Sequence, residues 1–219
     1  MKHIALLTLL FCSLLASGRH PVTPRTATWS SMYDQLRLSK VGLSRLAFEY
    51  ALVGIQKMEK QPAIISIADL SQPSTSKRLY VIDLANQKLL FNTYVAHGRN
   101  SGDRLARQFS NQISSNQSSL GFYKTMGAYR GKHGLSLKLK GLEPGINNNA
   151  FDRTIVFHGA NYVSEDTIRA TGRLGWSQGC PAVPNAICTP IIKAIQGGSC
   201  LFIYCPDPTY LKESSFLRG

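Results

Sequence analysis

The feature that most restricts the fold is a series of short β-prone runs after Pro62. They are Ala63 to Ala68, Arg78 to Leu84, Leu89 to Ala96, Leu120 to Thr125, Leu135 to Leu139 and Thr154 to His158. Such a series predicts a mainly β fold on a largely antiparallel sheet. Asn86-Gln87 reads as a hairpin turn between two of the runs, and Leu135, Leu137 and Leu139 alternate with polar residues, which indicates one wet face. Leu201 to Tyr204 adds a last strand. Ahead of the strands, Leu43, Leu46, Ala47, Tyr50, Ala51 and Met58 recur at helical spacing, so Ser39 to Lys60 is predicted as a packing helix ending before Pro62. A second helix is predicted over Asn185 to Gln196, closed by Gly197-Gly198. The irregular polar stretch from Gly98 to Ser118 is too long for a mere connector and is expected to cover a binding cleft.

The 219 residues suffice for one core plus an export segment. Met1-Lys2-His3, an apolar run from Ile4 to Leu15, and the small residues Ala16, Ser17 and Gly18 have the anatomy of a cleaved signal peptide. The run is short of the ~20 residues that span a bilayer. The expected division is a signal peptide at 1–18, a flexible lead-in at 19–38 and a single domain at 39–219. Removing 1–18 takes away Lys2 alone, leaving 24 basic against 12 acidic residues, a net charge of +12. Export sets nucleic acid aside as a partner and leaves an acidic polymer or an anionic membrane face. Basic residues that merely solubilise the protein are the plainer reading.

Four cysteines remain after export: Cys180, Cys188, Cys200 and Cys205. An oxidising compartment permits disulfides, so a bridge from Cys188 to Cys200 or Cys205 is expected, with the third thiol buried. None lies in a Cys-x-x-Cys or Cys/His cluster, so neither a metal nor a cofactor is expected.

Chemistry concentrates between Thr154 and Pro184. A β-branched run ends in His158-Gly159, where a side chain can leave a rigid sheet for an open cleft and the glycine permits close approach. Ser177-Gln178-Gly179-Cys180-Pro181 sets a thiol directly after a glycine, and the N–H groups of Gly179 and Cys180 can converge as an oxyanion hole. A thiol near neutrality is only slightly ionised, so it needs a neighbouring imidazole to become an effective nucleophile; His158, 22 positions earlier, can supply one. Taken by itself, this pair is outweighed by a structural thiol or half-cystine at Cys180.

The segment HGANYVSEDTIRATGRLGWSQGCPAVP shifts that balance. It resembles the active-site stretch of murein L,D-transpeptidases of the YkuD-like superfamily, in the branch with Gly-Arg-Leu-Gly ahead of the cysteine. SKRLYVIDLANQKLLFNTYVAHGRNSG and SSLGFY extend the resemblance to about residues 40–206. It implies a β-sandwich-like catalytic domain, Cys180 as nucleophile, His158 as base, a thioester intermediate, and Ser177, Gly159 and Gly179 as site residues. Gln178 stands where many members have a second histidine and cannot titrate, which leaves His158 as the only motif base. Arg173 could clamp a substrate carboxylate or lie solvated on the surface, and Trp176 is a rim or core aromatic; with Gln178 and His97, both are candidate substrate contacts. His97 and His133 are weaker candidates for the base.

The resemblance implies acyl transfer in the periplasm. Cys180 attacks at the L-centre of diaminopimelate in a peptidoglycan tetrapeptide stem, D-Ala departs, and an amine on another stem or an envelope protein resolves the thioester. Two alternatives stand beside it: an L,D-carboxypeptidase or amidase using the same site, and an inactive murein-binding module.

Overall fold

The computed structural model describes residues 25–218. The signal peptide expected at 1–18 lies outside the described residues. Eight strands form one sheet: β1 (Ile64–Asp69), β2 (Leu79–Asp83), β3 (Lys88–Thr93), β4 (Gly121–Gly131), β5 (Gly134–Gly141), β6 (Val156–Gly159), β7 (Ala182–Val183) and β8 (Cys200–Tyr204). Their order is β3-β2-β1-β8-β4-β5-β6-β7, antiparallel throughout except for β1–β8 and β6–β7. The sheet nearly closes on itself, because the chain beyond β3 returns to the opposite edge, where Ala96 N–H donates to Ala182 O at 2.8 Å. Each run read from the sequence becomes a strand. β7 escaped that reading because two residues after a proline carry no periodicity.

The lead-in expected to be unstructured from 19 to 38 instead carries helix α1 (Arg25–Gln35). Met32, Tyr33 and Leu38 are buried; the Tyr33 ring lies 5.7 Å from that of Phe48 in helix α2 (Arg45–Ile55), and Tyr33 Oη donates to Leu43 O at 2.5 Å. Three large apolar side chains removed from water outweigh the helix-poor composition around them.

The helix predicted from Ser39 to Lys60 is divided. A 3-10 turn at Leu38–Val41 ends at Gly42 in the left-handed region, and α2 begins only after Ser44, whose hydroxyl accepts the Ala47 N–H at 3.0 Å. Its buried face is Ala47, Phe48, Ala51, Leu52 and Ile55, whereas Leu46, placed in the stripe by spacing, is 48% exposed. Gly54 brings α2 onto β4, since a Cβ there would lie 2.0 Å from Phe122 Cζ.

Helix α3 (Glu165–Thr171) follows β6, and α4 (Asn185–Ile195) buries Cys188, Ile191, Ile192 and Ile195, the one-face spacing of an amphipathic helix. Helix α5 (Pro208–Glu213) is tied to the sheet by buried Glu143, which accepts from Phe122 N at 2.7 Å and Tyr210 Oη at 3.3 Å. The expected disulfide from Cys188 is absent: all four described cysteines are free thiols. Cys188 Sγ turns toward Leu135 O at 3.8 Å, while Cys200 is buried within β8. Among the described residues, no helix is long and apolar enough to cross a membrane.

Candidate active site

Parallel pairing of β6 with β7 sets His158 opposite Ala182, so Cys180 sits two residues ahead of His158's partner at the same end of the sheet. Both side chains line one open cleft of about 930 Å³. Cys180 is half-buried; its Sγ receives the Val156 N–H at 3.4 Å and lies 3.8 Å from Thr154 O. Burial pushes the thiol up, against the Val156 N–H and the positive charges of Arg153 and Lys132.

His158 is 3% exposed, and its Nδ1 lies 2.8 Å from Gly159 O. A proton held there against the carbonyl fixes the tautomer that leaves Nε2 with a lone pair. Burial holds this imidazole below its ordinary range; the Gly159 carbonyl opposes the shift, and His133 and Lys132 add to it. Both directions favour the uncharged forms, thiol and neutral imidazole, of two groups that line one cleft.

The Ser177-to-Cys180 turn holds itself together. Ser177 Oγ donates to Cys180 O at 2.6 Å and accepts the Gly179 N–H at 3.0 Å. That bond engages the Gly179 N–H internally, so the paired oxyanion hole expected from Gly179 and Cys180 is not formed by Gly179. Gly179 has φ +118°, and a Cβ would meet Gln117 O at 2.7 Å. Gly159 likewise serves packing: its Cβ would meet Asn185 Oδ1 of α4 at 2.4 Å, so helix rather than substrate approaches it.

Of the candidate substrate contacts, Gln178 and Trp176 line the cleft. Arg173 does not; it pairs with Asp103 at 2.7 Å and covers the Trp176 ring at 3.2 Å from the centroid. A guanidinium so engaged braces the rim instead of clamping a carboxylate. His97 also lies away from the cleft, 1% exposed, with Nδ1 2.8 Å from Arg78 Nη2 and Nε2 3.2 Å from Gly102 O.

His133, a weaker candidate for the base, lines the cleft, and sequence reasoning did not mark Arg153. The β4–β5 turn carries His133 over the site, where its ring stacks on His158 with centroids 4.3 Å apart and planes 26° from parallel. A histidine between glycines at a hairpin tip was the available signal. Arg153 staples the irregular 98–118 stretch to the cleft floor, donating to Ser110 O at 2.7 Å and Gln117 O at 2.6 Å. No local motif marks it. The stretch does cover the cleft, contributing Arg99, Ile113, Ser114 and Asn116.

A nearly closed β sheet with a thiol and an imidazole lining a basic cleft at one end defines a mainly β domain. Residues 39–204 match the sequence profile of the L,D-transpeptidase catalytic domain, and the chain belongs to that family. An L,D-transpeptidase from Mycobacterium smegmatis is similar at 10% identity and a TM-score of 0.40, over 65% of this chain and 59% of that one. One from Mycobacterium tuberculosis is 14% identical with a TM-score of 0.40, over 66% and 58%. The helical cell shape determining protein from Campylobacter jejuni is 13% identical with a TM-score of 0.42, over 64% and 46%. The chain thus spans less than two thirds of the length of these structures. A comparison with curated proteins gives no match.

Proposed function

We propose that this chain is an exported, periplasmic murein L,D-transpeptidase working through a Cys180 thioester. The observation that carries the reading is the shared cleft of Cys180 and His158, with His158 Nδ1 held on Gly159 O. Nε2 takes the thiol proton, and the sulfur attacks the carbonyl at the L-centre of diaminopimelate in a tetrapeptide stem. The oxyanion draws on the Cys180 backbone N–H, because the Gly179 N–H is already bonded. His158 returns its proton to the departing D-Ala amine as the C–N bond breaks, and an acceptor amine then displaces the sulfur.

Charge supports the substrate class. Arg99, Lys132 and Arg153 line the cleft against the single carboxylate of Asp152, a field that attracts carboxylate-bearing stem peptides. The test is incubation of the full chain with a purified tetrapeptide stem, followed by mass spectrometry. The expected product is a stem adduct on Cys180 lacking the terminal D-Ala, absent from Cys180→Ala. D-Ala release that persists in Cys180→Ala, or no release by the wild-type chain, overturns the reading.

A further inference from the structure

We infer that His133 is a second base of the site, the group that removes a proton from the incoming acceptor ammonium. This rests on the transpeptidase reading above and deepens it by giving the second half-reaction its own residue.

The chemistry of the acceptor creates the need. An aliphatic amine reaches a thioester as an ammonium, without the lone pair required for attack. It must lose one proton before the C–N bond forms and another as the bond forms. After acylation His158 has given its proton to the departing D-Ala and is neutral, so it can take one of these. Water, by contrast, attacks with a lone pair already in place and yields a single proton, which His158 alone can accept.

The geometry points to His133 for the additional proton. It is exposed, it lines the cleft that holds Cys180 and His158, and it sits at the β4–β5 tip between Gly131 and Gly134. Its ring meets His158 face to face at 4.3 Å, an arrangement that aims no ring nitrogen of one at the other and leaves His158 Nδ1 on Gly159 O. The other charged or titratable side chains lining this cleft are Arg99, Tyr129, Lys132, Asp152, Arg153, Tyr162 and Cys180. Imidazole is the side chain suited to exchange protons with solvent near neutrality.

The step balances. His133 takes one proton from R–NH3+ to give R–NH2. The nitrogen lone pair forms a bond to the thioester carbonyl, the C–S bond breaks, and the electron pair leaves on Cys180 as thiolate. The second nitrogen proton passes to His158 and from it to the thiolate, and His133 returns its proton to water.

The experiment uses the full chain and the variants His133→Gln and His133→Phe, with a tetrapeptide stem as donor. Ethylamine and trifluoroethylamine serve as matched acceptors, the second largely unprotonated near neutrality. In both variants the ratio of transfer to ethylamine over transfer to trifluoroethylamine should fall about 100-fold, the selectivity expected when one base is lost. Equal losses with both amines mean the ring only shapes the site and overturn the inference, as does full activity in His133→Phe, which retains the stack without a base. Failure of the wild-type chain to form any thioester removes the transpeptidase reading itself, a result separate from a selective amine defect.

Discussion

Ser177 and Cys180 are joined by a 2.6 Å hydrogen bond from the serine hydroxyl to the cysteine carbonyl, and the same hydroxyl accepts the Gly179 N–H at 3.0 Å. One buried side chain thereby closes the turn that aims the thiol. Ser177→Ala should lower stability by about 1–2 kcal/mol through two lost bonds. It should also slow thioester formation about tenfold with little change in KM, because the loop drifts while the cleft remains. Urea unfolding and a burst measurement with a tetrapeptide stem check both parts.

Gly179→Ala tests the same turn from its backbone. Its φ of +118° and the 2.7 Å approach of Gln117 O leave no room for a Cβ. Strain of about 1–3 kcal/mol is expected. Thiol labelling of the folded variant should show altered Cys180 reactivity, and unchanged labelling kinetics would contradict this account.

The pH dependence follows from His158, which must be neutral to take the thiol proton. Burial holds it below the ordinary imidazole range, so it stays neutral further into acid than a free imidazole. The acid limb of thioester formation should therefore fall below about pH 6.5. His158→Asn should remove that limb and lower the rate by roughly 10² to 10⁴-fold. Rates measured from pH 4 to 8 decide the matter.

His97 makes a prediction about stability. Burial, reinforced by Arg78, lowers it to about 4, so the unfolded chain binds a proton that the folded chain refuses. Its contribution is fully present above about pH 6.5 and is lost as pH falls toward 4, on the order of 3 kcal/mol at 1.36 kcal/mol per unit. His97→Gln should flatten the Tm profile across that window. An unchanged slope would locate acid sensitivity elsewhere.

Arg153 is predicted to hold the loop over the cleft. Its fork reaches Ser110 O and Gln117 O together, which a lysine ammonium cannot reproduce. Arg153→Lys should cost about 1–3 kcal/mol and expose the 98–118 stretch to limited proteolysis. Equal protease resistance in variant and wild type would show that the staple is dispensable.

The sequence by itself determined the strand series and the helix read over Asn185 to Gln196, and it singled out Cys180 and His158 as candidates. These rest on local periodicity, on a glycine before a thiol and on a histidine ending a β run, all visible within a few residues. The resemblance carried by the Thr154 to Pro184 stretch supplied the family. Only the tertiary structure decided that His133 stacks on His158, that Arg153 pins the covering loop, that Ser177 engages the Gly179 N–H, and that His97 and Arg173 face away from the cleft. Apart from the local Ser177 bond, each of these depends on strand register or on a partner distant in the chain. Whether a polar side chain meets solvent, substrate or a buried carbonyl is set by what the fold packs against it, and side-chain spacing along the chain carries no record of that.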